Sequence, residues 1–143
     1  KIGHYLSAIN KNTGLIEWEW TGRAGFLQNG TIAAHDGRVF GSITRRVTTL
    51  PYNCTVLAFS DVDNGGEKLW EYRGGAGLTT PVITDDKLIF GSSADVFITC
   101  LDPENGDVKW KFYTGGEMME NGPALYGNKV YAQCRNGWLY AIQ

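Results

Sequence analysis

Apolar residues in this chain fall in short runs broken by glycine, asparagine and aspartate, and no window of twelve residues places them at i, i+3, i+4 and i+7. That pattern predicts strands and turns and gives no helix. Strands over 4–10 and 15–20 form a first hairpin, turned by Asn12-Thr13-Gly14, with Gly14 free to take a positive φ. Strands 28–34 and 38–43 follow, joined by His35-Asp36-Gly37, then 54–59 and 67–72, turned by Asp63-Asn64-Gly65-Gly66. The remainder reads as strands at 77–84, 87–91, 95–101, 107–113, 118–125, 129–134 and 137–142. Thr84-Asp85-Asp86, Glu104-Asn105-Gly106 and Tyr126-Gly127-Asn128 are turn sequences between them.

The strands repeat as a unit. Ala8 to Trp18 is strand, turn and strand ending on a tryptophan; Cys100 to Trp110 has the same length, and Ala58 to Trp70 is two residues longer. Each tryptophan is followed two residues on by another aromatic: Trp20, Tyr72 and Phe112. Leu6, Val56, Ile98 and Leu139 correspond, at spacings of 50, 42 and 41. A period of about 40 to 45 residues made only of short strands is the signature of a β-propeller blade. The expected fold is therefore all-β, a propeller of four-stranded antiparallel blades with about three blades present. It divides into a partial blade at 1–27, blades at 28–73 and 74–115, and a partial blade at 116–143. Pro81 and Pro123 fall at equivalent positions, and a proline that cannot donate to a ladder suits the innermost strand, whose inner edge is free.

Composition narrows the function. A chain of 143 residues is long enough for one core and no more than one domain, and with a net charge of −2 and no charge run longer than two residues nothing points to nucleic acid or an anionic membrane. No apolar run is long enough to cross a bilayer. The three cysteines match no zinc spacing; Cys100 stands where other copies have alanine and reads as a small buried residue, while a Cys54–Cys134 disulfide is left open. Neither His4 nor His35 has a companion at metal or triad spacing. Asn29-Gly30-Thr31 and Asn53-Cys54-Thr55 are glycosylation triplets, relevant only to a secreted eukaryotic protein.

The segment Ala8-x-Asn10-x-x-Thr13-Gly14-x-x-x-Trp18 resembles the tryptophan-docking motif of the pyrroloquinoline quinone (PQQ) repeat family, with Asn10 in place of the family's aspartate. Asp102 restores that aspartate in the third copy, where Asn105 replaces the threonine; the copy with Ser60 and the longer turn departs furthest. The resemblance covers essentially the whole chain and implies that Trp18, Trp70 and Trp110 pack between neighbouring blades. The family holds quinone-dependent alcohol and sugar dehydrogenases, which bind PQQ and calcium at the propeller centre. It also holds non-enzymatic members, such as the lipoprotein propeller of outer-membrane assembly and lumenal stress-sensor domains. Many of the dehydrogenases carry adjacent cysteines beside the quinone, and this chain has no such pair. The reading adopted is a non-catalytic binding or scaffolding module, periplasmic or extracellular by resemblance, with no cofactor evident. The alternative is part of a PQQ- and calcium-dependent dehydrogenase.

Aligning the copies on Gly25, Gly74 and Gly116 places Gln28, Asn29, Thr79, Glu120 and Asn121 at the channel end of the innermost strands. They are the candidate cofactor-binding positions, and Glu120 with Asn121 offers oxygen ligands of the kind calcium takes. A protein or small-molecule ligand is expected at that channel face or at the 44–53 insertion, the one loop that breaks the repeat. A propeller of four to eight blades needs roughly 170 to 340 residues at this period. The remaining blades are thus expected from the same polypeptide or from another subunit. The strand missing outside 137–142 is supplied either past Gln143 or by a second molecule.

Overall fold

The structure, a computed structural model, describes residues 4–22, 32–45, 53–62, 65–74, 79–92, 95–118 and 121–143. Thirteen strands and no helix occur among them. Strands β1 (His4–Ile9) and β2 (Ile16–Gly22) form one hairpin. Strands β3 (Ile32–His35), β4 (Arg38–Arg45), β5 (Asn53–Ser60) and β6 (Lys68–Gly74) make a four-stranded sheet in chain order. A second such sheet contains β7 (Val82–Ile83), β8 (Leu88–Gly91), β9 (Phe97–Leu101) and β10 (Val108–Tyr113), and a third, of three strands, contains β11 (Ala124–Tyr126), β12 (Lys129–Gln133) and β13 (Leu139–Ile142). Every pairing is antiparallel.

The repeat is visible in the registers. Ala8 pairs with Trp18, Ala58 with Trp70 and Cys100 with Trp110, and in each hairpin the register shifts beside that pair. An extra residue there re-aims the strand, which turns the indole out toward the neighbouring sheet. The turns repeat too. Gly14 N donates to Asn10 O at 2.8 Å and Gly106 N to Asp102 O at 2.9 Å. Asn10 Oδ1 accepts from the Asn12 and Thr13 amides, as Asp102 Oδ1 accepts from Glu104 N. Asparagine and aspartate do the same work here, because each offers one carbonyl-type oxygen to the turn. In the longer middle copy Ser60 takes this place, with Gly66 N donating to Ser60 O.

Two cores lie between adjacent sheets. Phe40, Cys54, Val56, Ala58, Leu88, Phe90 and Leu101 pack together, with Trp70 and Tyr72 at their margin. Ile89, Ile98, Cys100, Met118, Val130, Ala132 and Cys134 form the other, flanked by Trp110, Phe112 and Tyr140. Leu88 and Phe90 face one core while Ile89 faces the other, the two-residue period of a strand buried on both sides. Cys54 and Cys134 belong to different cores and all three cysteines are free, which closes the disulfide alternative.

The innermost strands are shorter than the pattern predicts. Among the described residues, the strand expected at 77–84 is Val82–Ile83, and that expected at 118–125 is Ala124–Tyr126 with a separate Met118–Cys134 bridge. Each strand starts immediately after its proline, Pro81 or Pro123, because a proline has no N–H to give the ladder. The tip of the insertion, 46–52, lies outside the described residues.

Candidate functional site

The channel-face candidates are only partly described. Gln28, Asn29 and Glu120 lie outside the described residues. Thr79 is 3% exposed; its amide donates to Gly91 O at 3.0 Å and its hydroxyl accepts from Gly91 N at 2.9 Å. It lines a pocket of about 10 Å³ with Phe40, Gly41, Ser42, Val56, Pro81 and Phe90, the room of a single water. Asn121 is exposed. Beside it Gly122 meets the Thr80 carbonyl so closely that a Cβ has no place there, so the innermost segments of adjacent sheets touch. Among the described residues no three His, Cys, Asp or Glu side chains gather where a metal ion would sit.

His35, read from sequence as a lone turn residue, has a partner 50 positions away: its Nε2 lies 2.7 Å from Asp85 Oδ1. Arg38 Nη2 donates to Glu104 Oε2 at 2.6 Å, a second tie between the same two sheets. Both tie turns of the two sheets and are open to solvent, most of all at Asp85 and Glu104.

The most developed geometry is at the sheet-to-sheet seats of the tryptophans. Trp18 Nε1 donates to Asp61 Oδ1 at 2.7 Å, and its ring lies on Gly65 and Gly66 of the next sheet's turn. Trp70 Nε1 donates to Pro103 O at 3.0 Å, and a Cβ on Gly106 stands 2.7 Å from its ring. All three glycines have positive φ, which keeps the turn flat enough for an indole to lie on it. The second aromatic of each repeat reinforces the contact: Trp20 meets Phe59 at 5.0 Å, Tyr72 meets Phe90 at 6.0 Å and Phe112 meets Tyr140 at 5.5 Å between centroids.

Trp110 is different. Its indole opens onto a cavity of about 530 Å³ between the last two sheets, lined by Ile89, Phe112, Leu125, Val130 and Ile142 and by Lys87 and Lys129; the Lys111 ammonium lies instead over the Tyr72 and Phe97 rings. Asp86 also lies on the rim, paired with Lys87, which holds its carboxyl below the usual range. Sequence reasoning did not single out this cavity.

Four-stranded antiparallel sheets arranged serially, with an indole of one laid on a glycine turn of the next, define a β-propeller of PQQ-like repeats. The chain belongs to the family described as outer membrane protein assembly factor BamB, whose model matches residues 4–143. No curated protein sequence matches it. Among solved structures it is similar to BamB from Moraxella catarrhalis, with a TM-score of 0.53 and 23% identity over 96% of this chain and 51% of that one. The chain thus spans about half the length of that propeller.

Proposed function

We propose that this chain is part of a non-catalytic propeller that binds other proteins during outer-membrane protein assembly, in the periplasm. The observation that carries the reading is membership of the assembly-factor family over nearly the whole chain. The regular repeats support it, since propeller blades commonly present loops to partners on a stiff frame. Within this reading the 44–53 insertion is the first place to look for a protein partner. The channel-face positions Gln28, Asn29, Thr79, Glu120 and Asn121 are the second. The test is photo-crosslinking in the periplasm from a probe placed at Thr48 or at Asn121. Adducts with proteins of the outer-membrane assembly machinery are expected. Oxidation of an alcohol or sugar by the purified chain with added PQQ, calcium and an electron acceptor overturns the reading.

A further inference from the structure

The seat of Trp70, between the second and third sheets, covers a chemically reactive pair. Five of the nine asparagines precede a glycine, at 29, 64, 105, 121 and 136, so local sequence alone does not rank them. An Asn-Gly pair loses ammonia when the glycine nitrogen attacks the asparagine Cγ, an approach that no Cβ on the glycine hinders. In a folded chain the reaction depends on what holds those two groups. Gly106 N donates to Asp102 O at 2.9 Å, and Asn105 Oδ1 accepts from Asp107 N at 2.9 Å. The Trp70 ring lies over the glycine, 2.7 Å from where its Cβ would stand, and is anchored by Nε1 on Pro103 O. We propose that Asn105–Gly106 is a latent deamidation site, closed by the Trp70 indole and opened when the second and third sheets part.

The step needs only base and water, and Asn105 is exposed to both. Base takes the Gly106 amide proton, the nitrogen bonds to Asn105 Cγ, and the side-chain nitrogen leaves as ammonia. Water then opens the cyclic imide at one of its carbonyls. Opening on one side leaves an aspartate, whose carboxylate accepts from Asp107 N as the amide oxygen did, so the turn survives. Opening on the other side leaves an isoaspartate, whose main chain runs through the side-chain carbons and is longer by a methylene. That lengthening shifts Gly106 out of register with the indole, and the seat does not close again. A transient parting of the two sheets is thereby made permanent. Asn136–Gly137 provides a contrast within the same molecule. Gly137 N donates to Cys134 O at 3.1 Å and Asn136 Nδ2 to Thr114 O at 3.1 Å, yet a Cβ on Gly137 meets nothing within 4 Å, so no indole guards it. Its restraints come from the third and fourth sheets and are indifferent to Trp70.

The experiment incubates the 143-residue chain and its Trp70→Ala variant at neutral pH and follows Asn105 and Asn136 by peptide mass spectrometry, with isoaspartate counted by enzymatic carboxyl methylation. A synthetic peptide spanning 102–109 gives the rate of the unheld pair. Folded wild type is expected to deamidate at Asn105 at least about tenfold more slowly than the peptide, because only opened molecules react. In Trp70→Ala the rate at Asn105 is expected to rise about tenfold or more, while Asn136 keeps its wild-type rate. Wild type in urea below its unfolding transition covers the case in which Trp70→Ala fails to fold; there too Asn105 is expected to outpace Asn136. A wild-type rate at Asn105 equal to that of the peptide overturns the proposal. So does a rate that Trp70→Ala leaves unchanged, or a rise that Asn136 matches in both the variant and the urea series, since the indole then closes nothing.

Discussion

Glycine is required at Gly106 for two separate reasons, and at Gly14 for only one. Gly106 has φ +78° with the Trp70 ring against it, while Gly14 has φ +71° in open space. Gly14→Ala is therefore expected to cost about 1–2 kcal/mol of backbone strain, and Gly106→Ala clearly more, because the indole must also move; urea melts of the two variants give the comparison. Trp70→Ala, which removes the indole from the margin of a core, is expected to cost about 3–5 kcal/mol. A hydrogen bond from the Glu104 amide, then the Lys109 ammonium, holds the Asp102 carboxyl below its ordinary 3.8. A carboxyl depressed in the folded state contributes stability that is complete above 3.8 and is lost as pH falls through the folded value below it. Asp102→Asn is expected to flatten that acid limb in pH melts while keeping the turn, since Asn10 already builds the same turn. Burial pushes the Cys100 thiol up to about 11, and burial raises Cys134 as well. Native protein at pH 8 is expected to react with a thiol-specific disulfide reagent only as fast as it unfolds.

At the scale of strands and turns, what sequence revealed and what it hid have physical causes. The small-residue-to-tryptophan pairs Ala8–Trp18, Ala58–Trp70 and Cys100–Trp110 were legible because the unit that makes them is local, a strand, a turn and a strand within thirteen residues or fewer. The propeller class followed from their period. The true lengths of β7 and β11 were hidden, because a proline reads as compatible with an edge strand yet ends the ladder at its own position. The His35–Asp85 and Arg38–Glu104 pairs were hidden because they join residues 50 and 66 apart, at distances only the blade-to-blade geometry sets. Of the candidate site, Thr79 hydrogen-bonds to Gly91 beside a water-sized pocket, a pairing between residues twelve apart that the strand pattern does not display. Alternation alone does not say which end of a strand is covered by its neighbour. The exposed Arg38–Glu104 pair should matter little: Arg38→Ala is expected to cost under about 1 kcal/mol in a thermal melt, with most of that lost in high salt.

For the whole molecule, the sheets are joined serially: an indole seat ties the first to the second, a seat and a core tie the second to the third, and a core ties the third to the fourth. Stability in such an array is the sum of blade terms and nearest-neighbour terms. Two breaks at one interface should therefore couple, and two at different interfaces should add. Trp70→Ala with Gly106→Ala is expected to cost less than the sum of the singles, while Trp18→Ala with Gly106→Ala is expected to equal it within about 0.5 kcal/mol. A double-mutant cycle in urea separates the cases. Additivity within the first pair means that the indole and its glycine turn do not act as one contact.

The indole seats also put a clock into synthesis. Each tryptophan belongs to one sheet and its oxygen acceptor to the next, 43 residues later for Trp18 and 33 for Trp70. A ribosome adding about 5–20 residues per second therefore leaves each indole uncovered for roughly 2 to 9 s after it is made. Every blade emerges unfinished and waits for its successor. Pauses in translation just before the Asp61 or Pro103 turn prolong the interval in which a chaperone, or a neighbouring chain, finds an apolar ring still open to it.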